Sequence, residues 1–150
     1  MSPSNWGPPT WDLIHTLVEK IKEDKFLTMY LQIYHNIVMI CNNLPCPECA
    51  MHATQFLSKV NPNNLKNKSD LINLMYVFHN VVNKRKGNPL YKYEEMQIYK
   101  SKNLINCFNR FSDNFTSGGN VRLLADNFHR KQLISSIRKW IMQNIQNFDI

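Results

Sequence analysis

The stretch Phe26-Leu27-Thr28-Met29-Tyr30-Leu31-Gln32-Ile33-Tyr34-His35-Asn36-Ile37-Val38-Met39-Ile40-Cys41-Asn42-Asn43 repeats large side chains at three- and four-residue spacing, through Phe26, Tyr30, Ile33, Tyr34, Ile37 and Ile40. That is the period of one apolar helix face. Asn42-Asn43-Leu44-Pro45 breaks it. The same period recurs on either side. A first helix starts at Pro8-Pro9-Thr10 and carries Trp11, Ile14, His15 and Val18; a third runs from Cys46 to about Val60 and ends at Asn61-Pro62-Asn63-Asn64. Ser69 is positioned to cap a fourth, with Leu71, Met75, Phe78 and Val82, that stops near Gly87-Asn88-Pro89. A short fifth helix is expected over residues 92 to 104. Ser117-Gly118-Gly119-Asn120 reads as a linker to a long amphipathic helix with Leu124, Phe128, Ile134, Ile137, Ile141 and Ile145. Nothing reads as a strand or a repeat. The expected fold is all-α, an antiparallel four-helix bundle plus a short fifth helix over residues 1–104. Residues 105–150 form a C-terminal helical extension, packed on the bundle or on a partner subunit.

A chain of 150 residues with 43% apolar composition builds one real core. No apolar run reaches the roughly 18 residues of a membrane span. Met1-Ser2-Pro3-Ser4-Asn5-Trp6 lacks the layout of a secretory signal, so a cytoplasmic protein is expected. Eighteen Lys and Arg against eleven Asp and Glu give a net charge of +7. The basic residues are scattered, and the densest cluster is only Lys84-Arg85-Lys86, so nucleic acid is not the expected partner.

Four cysteines are too few for a disulfide-stapled scaffold of this length. Cys41 and Cys107 read as small buried hydrophobes. Cys46-Pro47-Glu48-Cys49 is different. Two thiols at this spacing close into a small, strained disulfide ring that exchanges readily. Pro47 suits a first helical turn, which puts Cys46 at the cap, beside free N–H groups and the positive dipole end that favour a thiolate. The same spacing also opens zinc sites, and Cys41, Cys46, Cys49 and His52 would supply four ligands, as in a non-enzymatic helical interaction module.

Three segments decide between these readings. Trp6-Gly7-Pro8-Pro9-Thr10-Trp11 leads on to His15; Cys46-Pro47-Glu48-Cys49 follows; His79-Asn80-Val81-Val82-Asn83 comes near the end of the fourth helix. Their order and spacing over residues 5 to 100 resemble the Erv/ALR family of FAD-linked sulfhydryl oxidases, and specifically its compact viral members. The resemblance implies a homodimeric flavoprotein that forms disulfides in protein substrates. Electrons would pass from a substrate dithiol to the Cys46–Cys49 disulfide, to FAD, and to O2, giving H2O2. It implies Cys46 as the exchange cysteine and Cys49 as the one against the flavin. Trp6, Gly7, Trp11, His15, His79, Asn80, Val82, Asn83 and Lys84 would hold the cofactor. The side chains suit a flavin and its adenine. Trp11 and His15 share one helix face, and His79, Val82 and Asn83 share another, offering flat rings, a methyl contact and an amide.

The chain departs from the family pattern in three places. Ser58 and Tyr76 stand where many members have a disulfide between the third and fourth helices, and Asn88 stands where a basic residue is usual. No second close cysteine pair exists, so substrate reaches Cys46 directly or through a thioredoxin-like shuttle protein.

Overall fold

A computed structural model describes residues 2–116 and 121–150, without the side chains of 121–125. The expected linker at Ser117–Asn120 and the side chain of Leu124 lie outside the described residues. The order is α1 (Pro3–Lys20), α2 (Phe26–Asn42), α3 (Pro47–Ser58), α4 (Lys68–Lys86), a 3-10 segment (Tyr93–Ser101), α5 (Leu104–Asn114) and α6 (Val121–Asn144). Among the described residues the only β pairing is one isolated bridge, Ile21 to Phe148, so the fold is the all-α bundle expected. None of the described helices is long and apolar enough to cross a membrane.

Helix α1 begins five residues earlier than Pro8-Pro9 suggested. Ser2 caps it by accepting from the Ser4 N–H, and Pro3 takes the first helical position. Pro8 and Pro9 are tolerated inside because the carbonyls they leave unbonded belong to Ser4 and Asn5, which are exposed to water. From Leu13 to Ile21 every residue of α1 and its cap is buried. A helix covered on all sides is the centre of the fold rather than one wall of it.

What encloses α1 is largely α5, a helix the sequence reading did not separate from the tail. Asn103 caps it by accepting from the Asn106 N–H at 2.9 Å. Leu104, Phe108, Phe111 and Phe115 join the core cluster that holds Leu13 and Leu17. The expected fifth α-helix is instead the 3-10 segment, whose three-residue period places buried Met96 and Tyr99 along one edge. Helix α4 is capped by Asn67, not Ser69, and ends on Gly87 at φ 74°, a left-handed conformation that glycine adopts without strain.

Helix α6 buries Leu133, Ile134, Ile137 and Ile141. The expected stripe is shorter than the sequence suggested, because Phe128 is exposed and Ile145 only half-buried. Trp140 donates its indole N–H to Gln32 on α2 at 2.9 Å. Beyond α6 the chain returns to the end of α1. There Lys22 N–H donates to the Asn147 carbonyl, Asp149 N–H donates to the Lys20 carbonyl, and Phe148 enters the core.

Candidate active site

Cys46 is the cap residue of α3, as its place before Pro47 predicts, and its sulfur accepts from the Cys49 N–H at 3.2 Å. Cys49 sits one turn in and is buried, while Cys46 is half-exposed. Both are free thiols. The pair is therefore ordered by access, with an outer sulfur open to solvent and an inner sulfur facing the protein. Burial, with the hydrogen bond to Cys46, holds the Cys49 thiol above its usual range; the charges of Lys86 and Arg85 pull it part of the way back. Helix α3 is fixed to α2 by the Tyr34 hydroxyl, which donates to the Leu57 carbonyl at 2.8 Å, and by Thr54, which donates to Asn42 at 2.7 Å. Ser58 and Tyr76 make no link to each other: Ser58 donates to the Gln55 carbonyl and Tyr76 to the Tyr91 carbonyl.

Inward of Cys49 lies a small hollow of about 40 Å³, lined also by Trp6, Gly7, Trp11, Val82 and Lys86. Gly7, Trp11, Val82 and Lys86 line a second, open groove as well, of about 800 Å³. The inner thiol thus faces residues that form the groove wall. The groove has the size of a small-molecule site. Its other walls include His79, Asn83, Tyr91 and Tyr99.

The walls are flat and aromatic. The Trp11 and His79 rings stack at 3.8 Å with 8° between their planes, and Tyr91 meets His79 edge-on at 4.5 Å. Behind them His15 Nε2 and His79 Nδ1 share a hydrogen bond of 2.9 Å, and Tyr99 stacks on His15 at 4.5 Å. Burial depresses both histidines, His79 to about 4 and His15, with His79 beside it, to about 3. Both rings are therefore neutral at physiological pH and act as slabs and hydrogen-bond groups. Burial also holds the Tyr99 hydroxyl well above its usual range.

The structure brings Trp6, Gly7, Trp11, Cys49, His79, Val82 and Asn83 onto the two hollows. His15 lies one layer behind. Asn80 serves the loop instead of the groove surface. Its amide bonds both the N–H and the carbonyl of Tyr91, at 2.9 and 3.0 Å, and so fastens the loop after α4 to the groove. Lys84 is exposed and lines neither hollow; Lys86, two residues on, lines both. Asp12, Tyr91 and Tyr99 are groove residues that the sequence reading did not single out. Tyr91 precedes the 3-10 segment and Tyr99 lies within it, where an α-helix was expected, so the only signal was their aromatic character. The four ligands of the zinc reading do not converge. Among the described residues no three His, Cys, Asp or Glu side chains form a metal-holding group; Cys41 is buried, and His52 faces Glu48 at 3.6 Å.

The sequence that builds this site is similar to known proteins. The model of the Erv1 / Alr family matches residues 8–103. An FAD-linked sulfhydryl oxidase of African swine fever virus is 28% identical over 102 residues, covering 68% of this chain and 85% of the relative. A probable FAD-linked sulfhydryl oxidase of fowlpox virus is 33% identical over 89 residues, 59% of this chain and 86% of the relative. One from vaccinia virus is 26% identical over 98 residues, 65% and 97% respectively. No solved structure matches. The matched residues span the Trp11–His79 stack, the cysteine pair and most of the groove wall, and the chain belongs to the Erv1/Alr family.

Proposed function

We propose that this chain is an FAD-linked sulfhydryl oxidase that forms disulfide bonds in protein substrates. The observation that carries the reading is the continuity between the two hollows: Cys49 faces a wall whose residues also line an aromatic groove of about 800 Å³. The residues fit the cofactor. Stacked rings suit flat ring systems, Lys86, which lines both hollows, suits a pyrophosphate, and the buried Trp6 indole N–H, on the small hollow, has no partner, so it is a donor that a ligand oxygen would satisfy.

In the oxidised enzyme Cys46 and Cys49 are joined by a disulfide. A substrate thiolate attacks the exposed Cys46 sulfur, forms a mixed disulfide, and releases Cys49 as a thiolate. Lys86 and Arg85 offset the cost of that buried negative charge. The second substrate thiol attacks the mixed disulfide, so the oxidised substrate leaves and both cysteines are left reduced. Bound FAD supplies the onward redox chemistry, taking two electrons from the dithiol and passing them to O2 to give H2O2.

Substrates are protein dithiols, presented directly or by a thioredoxin-like shuttle. We place the working unit as a homodimer. Since the second half of α1, from Leu13 on, is enclosed within its own chain, the pairing surface is assigned to α2, where Leu27 and Leu31 are exposed one turn apart. Residues 1–104 are assigned the cofactor and the chemistry, and 105–150 the support that encloses α1.

The test is direct. Purified protein is expected to be yellow with bound FAD and to consume O2 with a dithiol, and Cys46→Ser or Cys49→Ser abolishes turnover. A colourless protein that takes up no added FAD, or normal turnover by either variant, overturns the reading.

A further inference from the structure

Beyond the matched family region, Arg110 on α5 reaches back to the groove. One of its guanidinium nitrogens lies 2.6 Å from Asp12 Oδ2, and Lys102 Nζ lies 3.2 Å from Asp12 Oδ1. Asp12 is a groove-wall residue, next in sequence to Trp11. Its side chain is only 16% exposed, less than Arg110 at 55% or Lys102 at 32%. Lys102 Nζ also lies 5.7 Å from the centre of the Tyr99 ring, a second groove wall. A shielded carboxylate on the wall of an anion-binding groove repels its ligand unless it is neutralised. Here it is more than neutralised: one negative charge faces two positive ones, and the triad carries a net +1.

We propose that Arg110 is a positioning residue for the cofactor, acting through charge: with Lys102 it turns the Asp12 wall from repulsive to attractive for the FAD pyrophosphate. This rests on the functional reading above. It assigns to α5, outside residues 8–103, a part in setting cofactor affinity. The alternative is that Arg110 only ties α5 to α1.

Charge arithmetic separates the two. The triad is +1 in the wild type, 0 in Arg110→Ala, +2 in Asp12→Asn, and +1 again in the double variant. FAD dissociation constants are measured by flavin fluorescence on the four proteins at low and high salt. Arg110→Ala is expected to weaken FAD about tenfold, the size of one charge acting at partly screened range. Asp12→Asn is expected to bind at least as tightly as wild type, and the double variant to return to within about threefold of it. High salt is expected to shrink the difference between wild type and Arg110→Ala. An Arg110→Ala protein that binds FAD normally, or a double variant as weak as Arg110→Ala, overturns the inference and leaves the oxidase reading standing. A wild-type protein that binds no FAD overturns the oxidase reading, and the inference with it.

Discussion

Lowering the pH from 7 to 5 is expected to remove about 4 kcal/mol of folding stability through His15 and His79 alone. An unfolded histidine takes up its proton near 6.5; in the fold burial holds His79 at about 4 and, aided by His79, His15 at about 3. The folded values lie below the unfolded one, so the unfolded chain protonates first. Stability is full above the unfolded value and is lost as pH falls toward the folded values. At pH 5 the unfolded rings are charged and the folded ones are not, which costs about 2 kcal/mol for each ring. That figure hardly depends on the folded values while both stay well below 5. Geometry supports it: the 2.9 Å contact between the two rings is satisfied by one proton, and a second would set N–H against N–H. The assay is urea unfolding of the flavin-free chain at pH 7, 6 and 5, for wild type and His15→Gln. His15→Gln lowers stability at every pH, but its loss between pH 7 and 5 should be about 2 kcal/mol smaller than that of wild type. Equal losses in the two proteins would refute the claim that His15 is held neutral by burial.

Other expectations follow from single contacts. A Cβ added at Gly7 meets no atom within 4 Å, and Gly7 lines both hollows, so Gly7→Leu should keep or slightly raise the melting temperature while weakening FAD at least tenfold by fluorescence titration. Glu19 is buried, with one carboxylate oxygen unpartnered, and burial holds its carboxyl above the usual range against the pull of Lys100 and Lys68. Glu19→Gln should therefore stabilise the fold by about 1 kcal/mol at pH 7, with less gain as pH falls and the native carboxyl protonates; a denaturant series at pH 7 and 5 checks the sign. The partly reduced holoprotein should show a long-wavelength thiolate–flavin band that is lost in Cys49→Ser, and retention there with loss in Cys46→Ser would exchange the two roles. A chain ending at Asn103 should lose cooperative unfolding in circular dichroism, because it strips α5 from α1.

The helices with a one-sided apolar stripe were legible, because α2, α3 and α4 each bury one face. Helix α1 was legible only in part. Its second half is buried all round, and Thr16, Glu19 and Lys20 there look like surface residues in a sequence. Helix α5 was missed although Leu104, Cys107, Phe108 and Phe111 have the right spacing, because the boundary expected after residue 104 falls at its first turn and left it in the tail. At the site, the motifs named both cysteines, Trp11 and His79, but not the stack that the last two form. They did not reveal that Asn80 fastens a loop, nor that Lys86 rather than Lys84 faces the hollows. The burial that makes the Cys49 thiolate costly was also hidden, since it depends on what covers the inner sulfur.

The enclosure of α1 has a consequence for how the protein is made. Helix α1 leaves the ribosome before the helices that must wrap it. Its face for α5 stays uncovered until residues 104–115 emerge, and the end of α1 lacks its final hydrogen bonds until Asn147 and Asp149 are available. Folding is therefore governed by contacts distant in sequence, which close slowly. Until then Leu13, Leu17 and Ile21 remain exposed, and a nascent chain stalled before residue 104 is the form most open to capture by chaperones or to aggregation.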